Sequence, residues 1–332
     1  MLSSTRPGRK PDAESRERRL LRIGISACLL GEEVRFDGGH KRDTFLTDVL
    51  GPHVEFVPVC PEVEMGLGTP RETLRLVRQG TSLRMTTTRT LIDHTDAMNG
   101  WASKRLDTLD HDDLSGYVLK KDSPSCGMER VKTYADETVP RRDGRGLFAA
   151  ALIARMPLLP VEEEGRLSDP ILRENFIERV FAYRRLLDLF RSRWNIGALV
   201  AFHTAHKMSL LSHSTTAYNE LGRMVAGAQG MPRAELRSKY CSLFMSTMKV
   251  PATRARHTNV LQHMAGHLKK RIDDASRAEL AACIDDYRGG LVPLVVPLTL
   301  IRHHVRLQPV PYLQGQTYLD PHPRELMLRN HV

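Results

Sequence analysis

Short apolar runs rich in β-branched residues recur in the first half of the chain, and they predict buried strands. The clearest of these runs are residues 22–27, 54–59 and 116–120. Helical patterns lie between them, for instance at Arg71–Gln79 and Ala97–Leu109. Strands that alternate with helices predict an α/β domain with a largely parallel sheet, which extends to the apolar stretch Leu147–Leu159.

Helical periodicity dominates the second half of the chain. Asp169 and Pro170 are typical of a helix start, and apolar residues then recur at helical spacing from Leu172 to Phe190. Further helical stretches run through residues 198–211, 233–247, 257–272 and 277–287. The main β-rich run that interrupts them is Pro293–Val296. The sequence therefore predicts a mostly α-helical C-terminal domain.

These patterns divide the chain into four parts. We predict a flexible basic tail at residues 1–20, the α/β domain at 21–162, a linker at 163–172 and the helical domain at 173–332. The linker is predicted from the acidic turn Glu162-Glu163-Glu164-Gly165. The tail lacks the apolar segment of a secretory signal, and no apolar run reaches the ~18 residues of a membrane span. We therefore expect a cytoplasmic protein without a membrane partner.

The charge of the chain is unevenly distributed. Its formal net charge is +10, with −1 over residues 1–165 and +11 over residues 166–332. A near-neutral front half and a strongly basic back half favour a polyanionic partner for the back half, with nucleic acid ahead of an anionic membrane surface. A basic surface that only keeps the protein soluble is the alternative, and charge alone does not separate the two.

Cysteines follow three of the predicted strands. Cys28 comes directly after the first strand, Cys60 comes directly after the second, and Cys126 closes the loop after the third. The carboxyl ends of parallel strands lie on one edge of a sheet, where ligands bind. Three thiols that are distant in the sequence can therefore converge on one point.

Converging thiols favour a metal site. Sulfur ligands select zinc, copper(I) or an iron–sulfur cluster. Structural zinc usually has four ligands, often in Cys-x-x-Cys pairs that are absent here, and four-iron clusters usually have four cysteines. A three-cysteine site leaves one position open for a substrate. The alternative is that each thiol is a small buried hydrophobe, which is how we interpret Cys241 and Cys283 in their helical segments.

Polar residues close to these cysteines are the candidates for chemistry. Glu62 lies two residues after Cys60, where a carboxylate can take a proton from water or return one. Ser123 and Ser125 precede Cys126, where a hydroxyl can donate to a developing anion. Arg71 is a candidate for holding a carbonyl or phosphate oxygen of a substrate.

Three segments together resemble the thiouracil desulfidases (TudS-like proteins), over roughly residues 21–160. The segments that carry the resemblance are Cys28–Gly31 with Arg35–Gly38, Cys60–Glu62, and Lys120–Gly127 with its Ser-Pro-Ser-Cys-Gly core. The resemblance implies a 4Fe-4S cluster that is held by Cys28, Cys60 and Cys126 and whose fourth iron has no protein ligand. It also implies a catalytic acid/base at Glu62 and a catalytic serine at Ser123, with Ser125 as the second choice.

The second half resembles the YbgA-like domain over about residues 190–310. The segments that carry this resemblance are residues 203–207, 211–214, 218–223, 259–263 and 296–300. The fused arrangement resembles desulfidases that act on 4-thiouridine in transfer RNA, which implies tRNA as a partner. This implication agrees with the positive charge of the same half.

Four basic residues of the second half are the candidates for contacts with the RNA backbone: Arg254, Arg256, Lys269 and Lys270. Such contacts make binding strongly dependent on salt. The half has no interleaved aromatic pattern of the kind that stacks single-stranded bases, so recognition by shape and phosphate is favoured. We interpret its histidines as buried hydrogen-bonding groups or RNA contacts rather than as metal ligands.

Three hypotheses follow. The first is a desulfidase that converts 4-thiouridine in tRNA to uridine and hydrosulfide, without net redox change. The second keeps this chemistry and takes free thiouracil or a thionucleoside as the substrate. The third is a protein that binds nucleic acid, has a closed structural zinc site and catalyses nothing.

Overall fold

Two four-stranded sheets make up the first half of the protein. The structure is a computed structural model and describes residues 20–135, 139–191 and 193–331, so the predicted tail lies outside the described residues except for Leu20. The described strands are β1 (Leu21–Ser26), β2 (Val54–Val59), β3 (Leu74–Gln79), β4 (Ser82–Thr87), β5 (Leu114–Leu119), β6 (Val131–Tyr134), β7 (Arg141–Gly144) and β8 (Val161–Glu163).

The first sheet has the order β2-β1-β5-β8, and every pair in it is parallel. Its strands β1, β2 and β5 are the three that the sequence predicts. Their apolar runs are buried because helices cover both faces, as parallel sheets require. Ile23 and Ile25 of β1, for example, are completely buried. The predicted α/β architecture is therefore confirmed.

The second sheet has the order β4-β3-β6-β7 and mixes parallel and antiparallel pairs. The predicted helical pattern at residues 71–79 is wrong, because residues 74–79 form β3, which pairs with β4 in a hairpin. The hairpin places Leu76 opposite Met85, and both side chains are completely buried. Pairing with β4 and the burial of Leu76 against Met85 outweigh the helical spacing.

Helices pack beside the sheets and then dominate the second half. They are α1 (Pro61–Glu64), α2 (Thr95–His111), α3 (Leu147–Arg155), α4 (Pro170–Arg191), α5 (Ile196–Ala205), α6 (Lys207–His213), α7 (Thr215–Ala226), α8 (Arg233–Lys249), α9 (Arg254–Leu268), α10 (Asp274–Gly289), α11 (Val295–Leu307) and α12 (Pro311–Gln314). The predicted helical domain is confirmed, although its predicted β-rich run is wrong because residues 295–296 open α11. Within the described ranges, no helix is long and apolar enough to cross a membrane.

The predicted linker, residues 163–172, includes the end of a strand and the start of a helix. Glu163 belongs to β8 and is buried, and α4 already begins at Pro170, where the Asp169 carboxylate accepts hydrogen bonds from the first amides of the helix. The helix α4 then packs on the first sheet, so that its Phe176 and Val180 share one apolar cluster with β1. The two halves are therefore joined through a common core rather than by a flexible segment.

Candidate active site

The three predicted cysteines lie at the carboxyl ends of three neighbouring parallel strands. Cys28 lies in a single 3-10 turn at Ala27–Leu30 directly after β1, and Cys60 directly follows β2 and precedes α1. Cys126 lies in the loop after β5. Because β2, β1 and β5 are adjacent in the sheet, all three side chains line one cavity of about 340 Å³.

Basic side chains surround the thiols in this cavity. They are Arg35, Lys41, Arg71, Lys120 and Lys121. Glu62 and Ser123 line the same cavity, so the structure brings the predicted acid/base and one predicted serine to the cysteines. Positive charge around a pocket that contains thiols stabilises anionic groups bound there.

The thiols themselves are poorly hydrated. Burial raises the pKa of Cys28 to about 11, although the nearby Lys120 ammonium opposes this shift. Burial also raises the pKa of Cys60, and it raises the pKa of Cys126 far above the usual range. Each thiolate would further raise the pKa of its neighbours by repulsion. A bound cation or a positively charged inorganic core is therefore what would stabilise three thiolates here.

Three thiols around one cavity are soft donors of the kind that zinc, copper(I) and iron–sulfur clusters bind. Within the described parts of the chain, no three His, Cys, Asp or Glu side chains form a group that could hold one ion. A single zinc requires its sulfur ligands at about 2.3 Å from one point. In a four-iron cluster each thiolate binds a different iron, so the ligands stand further apart. Three thiols around one cavity have the chemistry that such a cluster needs.

Glu62 is held on both of its carboxylate oxygens. Ser125 Oγ donates to Oε1 at 2.8 Å, and Arg71 donates to Oε2 through Nε at 2.8 Å and Nη2 at 2.6 Å. A carboxylate has about four lone-pair positions, and three of them are occupied. The remaining lone pair is on Oε1, on a side chain that lines the cavity. Glu62 is thus oriented and can still accept one proton.

Arg71 positions Glu62, and the prediction that it also binds substrate stays a prediction. Its Nη1 donates to the backbone carbonyls of Val34 and Gly68, at 3.0 and 2.9 Å. Together with the two bonds to Glu62, these contacts use four of the five N–H groups of the guanidinium. The side chain is only 7% exposed. A φ of +69° at Gly68 brings its carbonyl to Arg71, and this left-handed conformation favours glycine.

The two candidate serines have different surroundings. Ser123 Oγ accepts hydrogen bonds from the amides of Ser125 and Cys126, at 3.2 and 3.1 Å. Its own O–H remains able to donate into the cavity that it lines. Ser125 is completely buried and donates to Glu62. Ser125 thus helps to position Glu62, and the prediction that it binds substrate stays a prediction.

Glycine is required where the loop with Cys126 meets α3. A Cβ on Gly146 would lie 2.4 Å from the Ser125 carbonyl oxygen and 2.8 Å from the Cys126 amide. The backbone amides of Leu147 and Ala149 also donate hydrogen bonds to carbonyls of the same loop. The start of α3 therefore packs directly on the backbone that carries the predicted ligand and serines.

Sequence comparison agrees with this geometry. Residues 23–164 match the family model described as 2-thiouracil desulfurase. The uncharacterised protein YbbK of Bacillus subtilis (strain 168) is 31% identical over 139 residues, which cover 39% of this chain and 88% of YbbK. The chain belongs to the 2-thiouracil desulfurase family. The resemblance found in its three cysteine segments is confirmed.

The second half of the chain has relatives of its own. Residues 207–323 match the family model DUF1722, described as a protein of unknown function. The uncharacterised protein YbgA of Escherichia coli (strain K12) is 37% identical over 153 residues, which cover 46% of this chain and 90% of YbgA. The resemblance to YbgA-like proteins is confirmed as well.

A solved structure is also similar to part of the chain. It is described as the 4Fe-4S-dependent thiouracil desulfidase TudS, and it is 34% identical in sequence. The match covers 45% of this chain and 93% of that one, with a TM-score of 0.38.

The predicted RNA-contacting residues lie at the two ends of α9. Arg254 and Arg256 are in its first turn, whereas Lys269 and Lys270 follow its last residue, roughly 22 Å away along a 15-residue helix. Arg254, Lys269 and Lys270 are exposed, and Arg256 is half-buried. The four residues therefore do not form one patch.

Three histidines of the second half, His203, His206 and His213, are buried and hydrogen-bonded, whereas His263 and His267 are exposed. His203 Nδ1 lies 3.2 Å from the Tyr240 hydroxyl, and His213 Nδ1 lies 2.6 Å from the Val250 carbonyl. His206 contacts the Phe202 carbonyl at 2.8 Å. These contacts explain why residues with metal-ligand chemistry occur in this helical core.

Several residues that shape the site were not singled out from the sequence. In the sequence, Lys120 is only one member of the segment Lys120–Gly127, and Glu163 and Glu164 fall in the predicted linker. Glu163 accepts from the Met128 amide and Glu164 from Lys120, so both contact the loop that carries Cys126. A run of glutamates is typical of an exposed turn, and nothing in its pattern indicates burial.

Proposed function

We propose that this chain is an iron–sulfur-dependent desulfidase that replaces the sulfur of 4-thiouridine in tRNA by oxygen. The observation that carries the proposal is the single cavity in which Cys28, Cys60 and Cys126 meet Glu62 and Ser123. Membership of the 2-thiouracil desulfurase family supports a thiolated pyrimidine as the substrate class. The reaction is hydrolytic, because water supplies the new oxygen and the sulfur leaves as hydrosulfide.

The cofactor that fits the donor set is a 4Fe-4S cluster. Cys28, Cys60 and Cys126 would hold it and leave its fourth iron without a protein ligand. When bound, the cluster supplies a Lewis-acidic iron that polarises the thiocarbonyl group. Burial raises the pKa of Cys28, and the Lys120 ammonium opposes this rise and would favour the thiolate form of the ligand.

Glu62 acts as the general base in the proposed reaction. Its free lone pair on Oε1 takes a proton from the attacking water, while Arg71 and Ser125 keep the carboxylate fixed. Fixing the base before the substrate arrives removes the entropic cost of orienting it during the reaction. The same carboxyl group can return its proton to the departing sulfur.

Ser123 stabilises the intermediate in the proposed reaction. Its oxygen is already held by two backbone amides, so its hydroxyl proton points away from them and can be donated to charge that develops at the substrate. A carbon–oxygen bond to water forms and the carbon–sulfur bond breaks. No electrons are transferred to or from the pyrimidine.

The basic helical half would bind the RNA. The formal charge of +11 over residues 166–332 supports this role. Arg254 lines a second cavity with Ile171 and Glu174, which belong to the first turns of α4. These turns follow β8, at the same edge of the sheet as the cysteines. We therefore propose that the Arg254 end of α9, rather than its Lys269 end, contacts RNA bound at the active site.

The decisive experiment uses full-length protein purified without oxygen. Iron, zinc and sulfide are measured per chain, and the protein is then incubated with 4-thiouridine-containing tRNA or with free 4-thiouracil. We expect about four irons per chain, a broad visible absorption band, and release of hydrosulfide with uridine formed in the tRNA. Turnover of free 4-thiouracil without turnover of the tRNA would support the second hypothesis. Bound zinc without sulfur release would support the third.

Two pairs of variants test the RNA surface. Arg254→Gln with Arg256→Gln should weaken tRNA binding and lower the salt slope by roughly one unit per lost phosphate contact. Lys269→Gln with Lys270→Gln has the same change in charge and is the matched control. Turnover of free 4-thiouracil should stay unchanged in both pairs. Equal losses of tRNA binding in the two pairs would contradict the placement of the RNA at the Arg254 end.

A further inference from the structure

Three consecutive acidic residues that do not face solvent lie at the end of β8 and directly after it. Glu162 and Glu163 are 4% and 5% exposed, and the Glu164 side chain is 11% exposed. Three adjacent carboxylates in a buried position are costly unless each one has hydrogen-bond donors. The donors that two of them use come from one loop, which runs from the end of β5 to β6.

Glu164 holds the beginning of this loop. Its Oε2 accepts from the Lys121 amide at 2.8 Å, and its Oε1 accepts from Lys120 Nζ at 2.6 Å. Lys120 also donates from Nζ to the Lys121 carbonyl at 3.0 Å. The Lys120 side chain lines the cavity of the cysteines. One carboxylate thus fixes both the backbone and a cationic side chain at the entrance of the loop.

Glu163 holds the end of the loop. Its Oε1 accepts from the Met128 amide at 2.5 Å and from the Glu129 amide at 3.4 Å. Met128 comes two residues after Cys126. Hydrogen bonds from backbone amides to a carboxylate are stronger than those to a neutral acceptor, and burial makes their loss expensive.

We propose that Glu163 and Glu164 are positioning residues that hold the loop of residues 120–129 at both ends. They thereby set where Ser123 and Cys126 stand in the cavity. The inference rests on the proposed function only for the roles of that serine and that cysteine. The hydrogen bonds themselves do not depend on it.

Glu162 belongs to the same acidic run but does not hold the loop. Its Oε1 pairs with Arg166 at 2.6 Å, and its Oε2 lies 3.7 Å from Arg179 of α4. It therefore connects β8 to the helical half and not to the loop. Glu129 offers a local control, because its side chain pairs with Arg166 while its amide is the one that Glu163 binds.

The test uses full-length Glu163→Ala, Glu164→Ala and Glu163→Gln, with Glu129→Gln and the distant Glu55→Gln as controls. Glu55 is exposed and pairs with Arg22 near the opposite edge of the sheet. Amide hydrogen exchange is measured on protein without iron. Iron retained per chain is measured after anaerobic reconstitution and gel filtration.

We expect Glu163→Ala to speed exchange at Met128 and Glu129 by roughly tenfold, the effect of one lost hydrogen bond. We expect Glu164→Ala to do the same at Lys121. Both should lower iron retention several-fold. Glu163→Gln keeps an acceptor oxygen and should recover most of the loss, and both controls should behave as the unsubstituted protein does.

The proposal is overturned if the alanine variants exchange and retain iron like the unsubstituted protein. It is also overturned if exchange rises equally in β1 and β5, because that result describes general destabilisation rather than a loosened loop. An unsubstituted protein that binds the cluster but releases no sulfur would contradict the proposed function instead. The exchange measurement would still decide the role of the two glutamates.

Discussion

Ser125 donates a 2.8 Å hydrogen bond to Glu62, although 63 residues separate the two in the chain. The bond joins the segment after β2 to the loop after β5, and each of these segments carries one of the cysteines. Arg71 completes the contact from the other side of the carboxylate. The predicted acid/base is therefore oriented by residues from two further segments, and this arrangement gives testable consequences.

Glu62→Gln should abolish most activity and leave the cluster bound. The amide keeps the shape of the side chain but cannot take a proton from water, and loss of a general base typically costs about 10²- to 10⁴-fold in rate. Desulfidation rate and iron content are measured on the same preparation. Glu55→Gln is the matched control. Loss of iron together with activity would show that Glu62 supports the cluster rather than the chemistry.

Ser123→Ala and Ser125→Ala should differ. Removing the Ser123 hydroxyl takes away the proposed donor to the intermediate, and we expect kcat to fall roughly 10²-fold or more with little change in KM. Ser125→Ala releases one side of Glu62 and should cost about tenfold, the effect of one hydrogen bond. Steady-state kinetics on both variants decide the matter. A larger loss of kcat in Ser125→Ala than in Ser123→Ala would mean that Ser125 is the donor to the intermediate and Ser123 the positioning residue.

Arg71→Lys should destabilise the site despite the retained charge. A lysine cannot reproduce the forked contacts with Glu62 while also reaching the Val34 and Gly68 carbonyls. Loss of a partner from a largely buried ion pair typically costs about 3–5 kcal/mol, and the retained ammonium should reduce that loss. Denaturant unfolding measures stability and the rate assay measures activity. Unchanged values in both would refute the positioning role.

Gly146→Ala should disturb the loop that carries Cys126. The added Cβ would overlap the Ser125 carbonyl, which is backbone and cannot move without shifting the predicted ligand. Overpacking of this kind typically costs about 1–3 kcal/mol. The thermal midpoint and iron retention are the measurements. Gly100→Ala in α2, where an added Cβ meets nothing within 4 Å, is the matched control, and an equal response of both variants would contradict the argument.

The helical half should lose stability below neutral pH. Burial lowers the pKa of His206 and His257 to about 3, and it lowers that of His322 to about 4, with nearby arginines adding to each shift. An unfolded histidine has a pKa of about 6.5. The unfolded state therefore binds more protons than the folded state between pH 6.5 and about 4, and stability falls as the pH falls through this range.

The size of this effect is set by the number of buried histidines. Each one contributes at most about 1.4 kcal/mol per pH unit, so the three together give a slope of roughly 4 kcal/mol per unit. Urea unfolding at pH 7.0, 6.0 and 5.5, followed by circular dichroism, checks it. Removing the exposed His111 by His111→Gln should leave the slope unchanged. A stability that is flat over this range would mean that these histidines are protonated in the fold.

The local pattern of the chain determined the strands and helices that frame the site. Apolar runs between turn residues gave β1, β2 and β5, and Asp169-Pro170 gave the start of α4, because these signals act within a few residues. The positions of Cys28, Cys60 and Cys126 followed from the strand ends alone. The residues of β3 carried two periodicities, and only pairing with β4 selected the strand.

Tertiary structure decided which polar residues work together. The sequence contains Glu62, Arg71 and Ser125, but their common hydrogen bonds depend on where three separate segments pack. The role of Glu163 also depends on the tertiary structure. Its neighbours along the chain suggest an exposed turn, but it is buried and binds the amide of Met128, which is 35 residues away. Contacts between distant residues depend on the whole fold, because a side chain finds its donors only after the backbone has placed them.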